Sequence, residues 1–276
     1  MRKFYFLLIL VIFIFLGKTF LGTTEKEMNI LELDQDEKTG LVYIKDSKKI
    51  FTGVGKTYYE SGKLESIFRF KDGVLEGNGI GYYESGKISF TFNFTKGNIN
   101  GITKSYYESG KIRTEKKFID GKLDGSSKGY YENGKIAYEE NYLNGKLNGN
   151  SKFYYENGNL KADLFYKNDM LDGTVIEYLE DGKKTSVSNY KNGSLYIEAN
   201  YSNDELDGDI KVYKKNGDLD YIAPYKNGKP LTAKKLKASD DMVDEISQDL
   251  REILGDDIKI TVKEENTLED ENKFSN

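Results

Sequence analysis

Four patterns in this sequence have residue types and spacings that could do chemistry. Gly53-Val54-Gly55-Lys56-Thr57 has the Gly-Lys-Thr ending of a phosphate-binding loop. The earlier glycine that such a loop needs is Ile50, and the stretch reads as a strand rather than the approach to a helix. Gly125-Ser126-Ser127-Lys128-Gly129 matches the G-x-S-x-G pattern of a nucleophilic serine. The chain has no His, so no Ser-His-Asp relay can form around it. Glu60, Glu84, Glu108, Glu132 and Glu156 recur at one interval. Two strands per step would separate them by about 10 Å, too regular for one acid–base pair and well suited to a solvated edge. The fourth pattern is the most regular: Tyr58, Tyr82, Tyr106, Tyr130, Tyr154, Tyr178 and Tyr213. Such a column is either cross-strand packing or an exposed aromatic ladder for a peptide, glycan or protein, and both readings stay open.

Composition narrows the chemistry further. The 276 residues include 28 Gly, 22 Tyr and 15 Phe but only 2 Pro, which favours pleated strands and tight turns. Cys is absent, so there is no disulfide frame, thiolate nucleophile or zinc–sulfur site. Without His the commonest general base and metal ligand are missing too. We expect no catalytic residues, no metal and no cofactor. The formal net charge is −5, with 41 basic and 46 acidic residues intermixed, so a nucleic-acid partner is not expected.

Residues 1–24 read as an export signal or a signal-anchor. Arg2 and Lys3 precede an unbroken apolar run from Phe4 to Leu16. The run is short for a spanning helix and suits a signal-peptide core. Either way the body of the protein should lie outside the cytoplasm, touching the membrane only through this segment.

These patterns must be positioned by an internal repeat. Gly53, Gly77, Gly101, Gly125, Gly149 and Gly173 are 24 residues apart, and a seventh copy starts at Gly208. The longer last interval comes from a half-repeat inserted at 193–207. Each copy carries two turn signals, such as Asn133-Gly134 and Asn144-Gly145. Asn-Gly and Asp-Gly suit two-residue hairpin loops, whose central residues need φ > 0. If both turns are two-residue loops, position 18 of the repeat (Phe70, Phe94, Phe118, Tyr142, Tyr166) shares a face with position 23 (Leu75, Ile99, Leu123, Leu147, Leu171). Position 7 (Tyr59, Tyr83, Tyr107, Tyr131, Tyr155), position 12 (Leu64, Ile88, Ile112, Ile136, Leu160) and the leading Gly fall there too. The Tyr58 column, with Lys and Glu, falls on the opposite, polar face. Unequal strand lengths require either a slanting register or a bulge near the leading Gly. One repeat cannot bury enough apolar surface to fold alone, so neighbours must share ladders and contacts.

Tyr130–Gly149, YYENGKIAYEENYLNGKLNG, resembles the motif of the MORN-repeat-variant family, and the similarity covers about 43–231. The resemblance implies an extended antiparallel β array, a binding or scaffolding role and no catalytic residues. Bacterial members of this kind are often labelled antitoxins, which implies a second role, binding and neutralising a toxin or effector.

The pattern changes after Leu231. Residues 239–254 place Met242, Val243, Ile246, Leu250, Ile253 and Leu254 on one helical face, and Ile258, Ile260 and Val262 then alternate as in a short strand. This segment is a cap for the last repeat or a docking helix for a partner.

The expected architecture is all-β: an elongated antiparallel β-hairpin array in a single twisted sheet, with a short C-terminal helix/strand cap. Its expected parts are the signal or anchor (1–24), a linker (25–42), the repeats (43–231), the cap (232–263) and a disordered acidic tail (264–276). The expected function is non-enzymatic protein–protein interaction or scaffolding in the cell envelope, with a protein partner. The seven-tyrosine column is the candidate binding face.

Overall fold

A two-residue turn, a short strand, a bulge and a longer strand recur through the chain, and each follows from local sequence. The computed structural model describes residues 25–231 and 248–255. The segments 1–24 and 264–276 and the alternation at 258–262 lie outside the described residues. The chain divides into two units, residues 1–122 and 123–276. Each is an array of antiparallel hairpins whose strands pair in chain order.

The first unit shows the repeat plainly. Strand Gly53–Tyr58 pairs with Leu64–Lys71, which turns into the short strand Val74–Leu75 and then pairs with Gly77–Tyr82. The turn at Asp72-Gly73 is the expected two-residue loop, with φ of 50° and 79°. Its counterpart Asn168-Asp169 keeps the same geometry without glycine, at 52° and 70°.

The other turn departs from expectation. The Tyr59 N–H donates to the Lys63 carbonyl at 2.9 Å, and the Gly62 N–H donates to the Tyr59 carbonyl at 2.8 Å. Of the Ser61-Gly62 pair only Gly62 is left-handed. The loop is therefore a three-residue turn closed by a left-handed glycine, not a two-residue one. A bulge between Thr57 and Tyr58 absorbs the difference and sets Tyr58, rather than Tyr59, opposite Leu64. Leu64, Ile88, Ile112, Ile136 and Leu160 thus share the face of the Tyr58 column instead of the aromatic face. The second irregularity is also a bulge. Pairing steps from Phe70↔Leu75 to Ser66↔Gly81, so the later strand carries two extra residues beside the leading Gly77.

Three hydrogen bonds tie neighbouring repeats together within each unit. The turn N–H of Gly97 donates to the Leu75 carbonyl at 2.9 Å, and the Lys96 N–H donates to the Glu76 carboxylate at 2.8 Å. The Tyr59 hydroxyl donates to the Tyr82 carbonyl at 2.6 Å. In the second unit, Gly145 to Leu123, Asn144 to Asp124 and Tyr131 to Tyr154 repeat the set at 2.7, 3.0 and 2.6 Å. Position 7 is tyrosine because its hydroxyl reaches the neighbouring backbone, not because it fills an apolar core.

Size complementarity across the strands packs the aromatic face. Gly81 lies opposite Phe90, and Gly129 lies opposite Tyr138. In both pairs the ring occupies the space a Cβ on the glycine would need. Elsewhere the pair is small on both strands, as in Ser105 and Thr114, whose hydroxyls meet at 2.7 Å, or reversed, as in Phe153 and Ala162.

The start of the array is covered. Residues 25–42, expected as a linker, carry structure instead. Glu27–Asn29 adds parallel to Gly53–Tyr58, and Leu33–Gln35, Val42–Ile44 and Lys49–Ile50 form a three-stranded sheet. Leu33, Phe51 and Phe70 form a buried cluster with Met28, Ile30 and Val42 packed against it. The apolar residues at 28, 30 and 33 are the signal for this cover.

The second unit contains the half-repeat, as strand Ser194–Ser202. Ile176 faces Val187, Val187 faces Ala199, and Ile197 faces Val212. Directly paired residues share a face, and so do residues two apart on a strand. Ile197, Ala199 and Val212 therefore lie on the same side as Ile176, which is the polar side of the preceding repeats. The inserted strand turns the last repeat over. Its apolar face holds Ile197, Ala199, Leu206, Ile210, Val212, Ala223 and Tyr225, sealed by Leu250 from the helix at 248–254, with Ile253 and Leu254 packed alongside. The Lys191 ammonium is 3.1 Å from Asp249 of that helix and 3.9 Å from the ring centre of Tyr196.

Candidate functional site

The polar face is built from three positions of the repeat. Position 4 is Lys in most copies, and the residue facing it is often acidic. Lys104 and Glu115 lie 3.1 Å apart in the first unit. In the second, Lys128 lies 2.7 Å from Glu139 and Lys152 3.5 Å from Asp163. The column tyrosine of the following strand then reaches back to the carboxylate. The Tyr154 hydroxyl donates to Glu139 at 3.1 Å, and on the opposite side of the sheet that of Tyr213 donates to Glu198 at 3.0 Å. Glu198 also takes Lys211 at 2.6 Å. The unit is a lysine–carboxylate–tyrosine triad.

The electrostatics follow from these contacts. The Lys128 ammonium, and to a lesser degree the Tyr154 hydroxyl, hold the Glu139 carboxyl below its usual range. Partial burial pushes Tyr154 and Tyr213 up, and their carboxylate partners add to it. Glu198 raises Lys211. Every shift favours a charged pair beside a neutral phenol, an arrangement suited to binding rather than proton transfer near neutrality.

The column tyrosines are not equivalent. In the first unit Tyr58 is exposed, while Tyr82 and Tyr106 are half-buried. In the second unit Tyr130, Tyr154 and Tyr178 share the polar side. Tyr213, next to Val212 on its strand, lies on the opposite side because of the half-repeat. The seven residues are therefore not one surface.

Between Tyr154 and the strand before it runs an open groove of about 350 Å³. Ser126, Lys128, Glu139, Asn141 and Lys152 line it. Asn141 is held by its own amide, which donates to the Asn150 carbonyl at 2.8 Å. The equivalent Asn93 also donates to a backbone carbonyl of the adjoining segment, that of Asn100, at 3.1 Å, two residues earlier in the repeat. A second cavity, in the first unit, is mostly apolar and lined by Ile30, Leu33, Val42, Phe70 and Leu75.

The remaining patterns resolve as structure. Gly53–Thr57 lies within a strand, and Lys56 pairs with Glu27 at 2.5 Å. Ser127 lies within strand Lys122–Tyr130 and is fully buried. Glu60, Glu84, Glu108, Glu132 and Glu156 lie at turns, and all five are exposed. Among the described residues no group of three or more acidic side chains could hold a metal ion, and no helix is long and apolar enough to cross a membrane.

Burial of phenols has a consequence at high pH. Tyr142 and Tyr201 are pushed up to about 12, and Tyr166, Tyr221 and Tyr225 are raised, all mainly by desolvation. An unfolded chain releases these protons near pH 10. Between the two values the folded state binds more protons, so stability falls as pH rises. We expect full stability below pH 10, progressive loss toward pH 12, and phenolate absorbance rising together with unfolding. Ionisation of all 22 tyrosines near pH 10 with no loss of structure would contradict the burial.

The family model for the MORN repeat variant matches residues 51–72, 99–120, 123–144, 147–168, 171–192 and 206–227. Residues 75–96 are skipped, yet Gly77–Tyr82 and Ile88–Thr95 pair as their neighbours do. The half-repeat also falls between matches. No curated protein matches the chain. Among solved structures, a chain in the crystal structure of TcdB2-TccC3-Cdc42 is 12% identical over 70% of this chain, with a TM-score of 0.21. This chain spans 12% of that one's length, and at that score the likeness supports no inference. Six of the repeats between residues 51 and 227 are thus MORN repeat variants.

Proposed function

We propose that this chain is a non-enzymatic interaction protein of the cell envelope. Its repeats hold a protein partner on the tyrosine-bearing polar face, and residues 1–24 export or anchor it with the repeats outside the cytoplasm. The observation that carries the reading is the triad. On this face the Tyr154 phenol is fixed to the Glu139 carboxylate, which is in turn closed by Lys128, a pre-ordered patch that loses little side-chain freedom on binding. MORN repeats are a non-catalytic interaction family, which supports the same class of role. An antitoxin-like role is the special case in which the partner is a toxin or effector, and relief of growth arrest on co-expression would identify it.

Photo-crosslinking in the native host tests the proposal. A crosslinker placed at Tyr106 should capture one dominant envelope protein, identified by mass spectrometry. The Tyr106→Ser and Tyr130→Ser variants should weaken association with that protein about tenfold while keeping the circular dichroism of the parent. Association with the identified protein that is unchanged in both variants, measured without the crosslinker, would reject the tyrosine face as the contact.

A further inference from the structure

We propose that the groove at Ser126–Tyr154 binds a neutral, extended 1,4-linked polysaccharide, one disaccharide for each 24-residue repeat. The inference rests on the reading of the polar face as a binding face, and it adds a ligand class and a register. Three observations carry it.

The first is the lining. Ser126, Asn141 and Tyr154 offer hydroxyl and amide groups, Glu139 is an acceptor, and Lys128 and Lys152 are donors. Sugar hydroxyls both donate and accept, so they can use all of these. Tyr154 adds the edge or face of a ring, on which the C–H side of a pyranose can rest.

The second is charge. The ammonium of Lys128 is closed by Glu139 at 2.7 Å and that of Lys152 by Asp163 at 3.5 Å. Cation and anion are balanced within the face, so neither a phosphate chain nor a basic peptide gains from it. The complementary ligand is uncharged and rich in hydrogen bonds.

The third is pitch. Successive column tyrosines are two strands apart, about 9.6 Å. An extended 1,4-linked glycan advances by nearly that length per disaccharide and returns to the same orientation. An extended peptide covers this distance in about three residues of 3.3 Å, but residues three apart point to opposite faces. A polyproline II helix also returns, every three residues or about 9.3 Å. The pitch therefore excludes an extended peptide but not a polyproline II segment, and competition by a proline-rich peptide separates that segment from a glycan.

The position of Tyr213 supplies an internal control. Its hydroxyl also donates to a lysine-closed carboxylate, Glu198 with Lys211 of its own strand, but it stands on the other side of the sheet. The test titrates the full chain with cello- and chito-oligosaccharides, by calorimetry and by saturation-transfer NMR. Affinity should rise from the di- to the tetrasaccharide in at least one series. Tyr154→Ala should weaken tetrasaccharide binding about tenfold, Tyr154→Phe should keep most of it, and Tyr213→Ala should leave it unchanged. A proline-rich peptide should not compete. The proposal is overturned if hexasaccharides of both series show no saturable binding, if Tyr213→Ala weakens it as much as Tyr154→Ala, or if the peptide displaces them. Loss of oligosaccharide binding with the Tyr106 crosslink intact would reject the glycan and leave the interaction role standing. Loss of the crosslink with oligosaccharide binding intact would do the reverse.

Discussion

Deleting residues 194–204 should turn the last repeat back over and unseat the C-terminal helix. The deletion joins Asn192-Gly193 to Glu205-Leu206-Asp207-Gly208, which has the form of Asn144-Gly145-Lys146-Leu147-Asn148-Gly149. Strand Gly208–Tyr213 would then pair directly with Lys184–Lys191 in the register used between earlier repeats. Val212 would face Ser186 instead of Ile197, moving Ile210 and Val212 to the aromatic side. Leu250, now 1% exposed, would lose Ile197 and Ala199 altogether and find the rest of its seat reversed.

The expected cost is large because two fully buried aliphatic side chains lose their surroundings at once. Each such loss costs about 2–5 kcal/mol, so the last repeat and helix should be destabilised by about 4 kcal/mol or more. Hydrogen exchange reads this locally. Amides at 208–226 and 248–255 should exchange much faster, while those of strands Gly149–Tyr154 and Leu160–Lys167 should not change. Leu250→Ala alone should cost about 2–5 kcal/mol and affect the same amides. A deletion that leaves the helix protected would mean the half-repeat does not set its side. The deletion would also bring Tyr213 to the side of Tyr154 and Tyr178. Its substitution, silent for oligosaccharides in the parent, should then begin to matter.

The period, the two-residue turns and the polar side of the tyrosine column were legible because each is written in local chemistry. Asn-Gly and Asp-Gly pairs mark left-handed backbone, and alternation marks faces. The first turn was not legible to the same degree, since Ser61-Gly62 suits either a two-residue loop or a three-residue loop with glycine last. That one-residue difference moved Leu64 and its counterparts across the sheet. The inverted last repeat has the same origin. A plain two-residue turn at Asn192-Gly193 would pair Val187 with Glu198. The bulge between Asn189 and Tyr190 passes over Tyr196 and pairs Val187 with Ala199 instead. A slip of one residue changes the face of every side chain beyond it, and no composition signal records it. The candidate site inherits this: its residue types were readable, but which tyrosines share a surface depends on the bulge. The cover at 25–50 was written in Met28, Ile30 and Leu33, whose spacing is too irregular to mark a strand.

Replacing Gly129 with Ala should destabilise the second unit by about 3 kcal/mol, near the top of the range for overpacking. Gly129 has an ordinary backbone conformation, so the substitution adds no φ strain. The whole effect comes from the ring of Tyr138, whose Cε1 and Cδ1 lie 2.1 and 2.5 Å from where the new Cβ would be. Ring carbons cannot be approached so closely, and Tyr138 must leave its rotamer. Gly81→Ala should act in the same way on Phe90, whose ring lies 2.2 Å from the corresponding point. The remedy is already present in the chain, because Ser105 and Thr114 fill the equivalent pair with two small side chains. Tyr138→Thr should therefore be damaging alone, through lost burial, but much less so when combined with Gly129→Ala. A double-mutant cycle by urea unfolding should give a coupling of about 1–3 kcal/mol. Gly134→Ala separates this clash from backbone strain. Its new Cβ would meet nothing within 4 Å, but its φ is 91°, so it should cost about 1–2 kcal/mol that Tyr138→Thr cannot recover. If Gly129→Ala stays within about 0.5 kcal/mol of the parent, the ring does not lie over the glycine, and the size complementarity that packs the aromatic face is refuted.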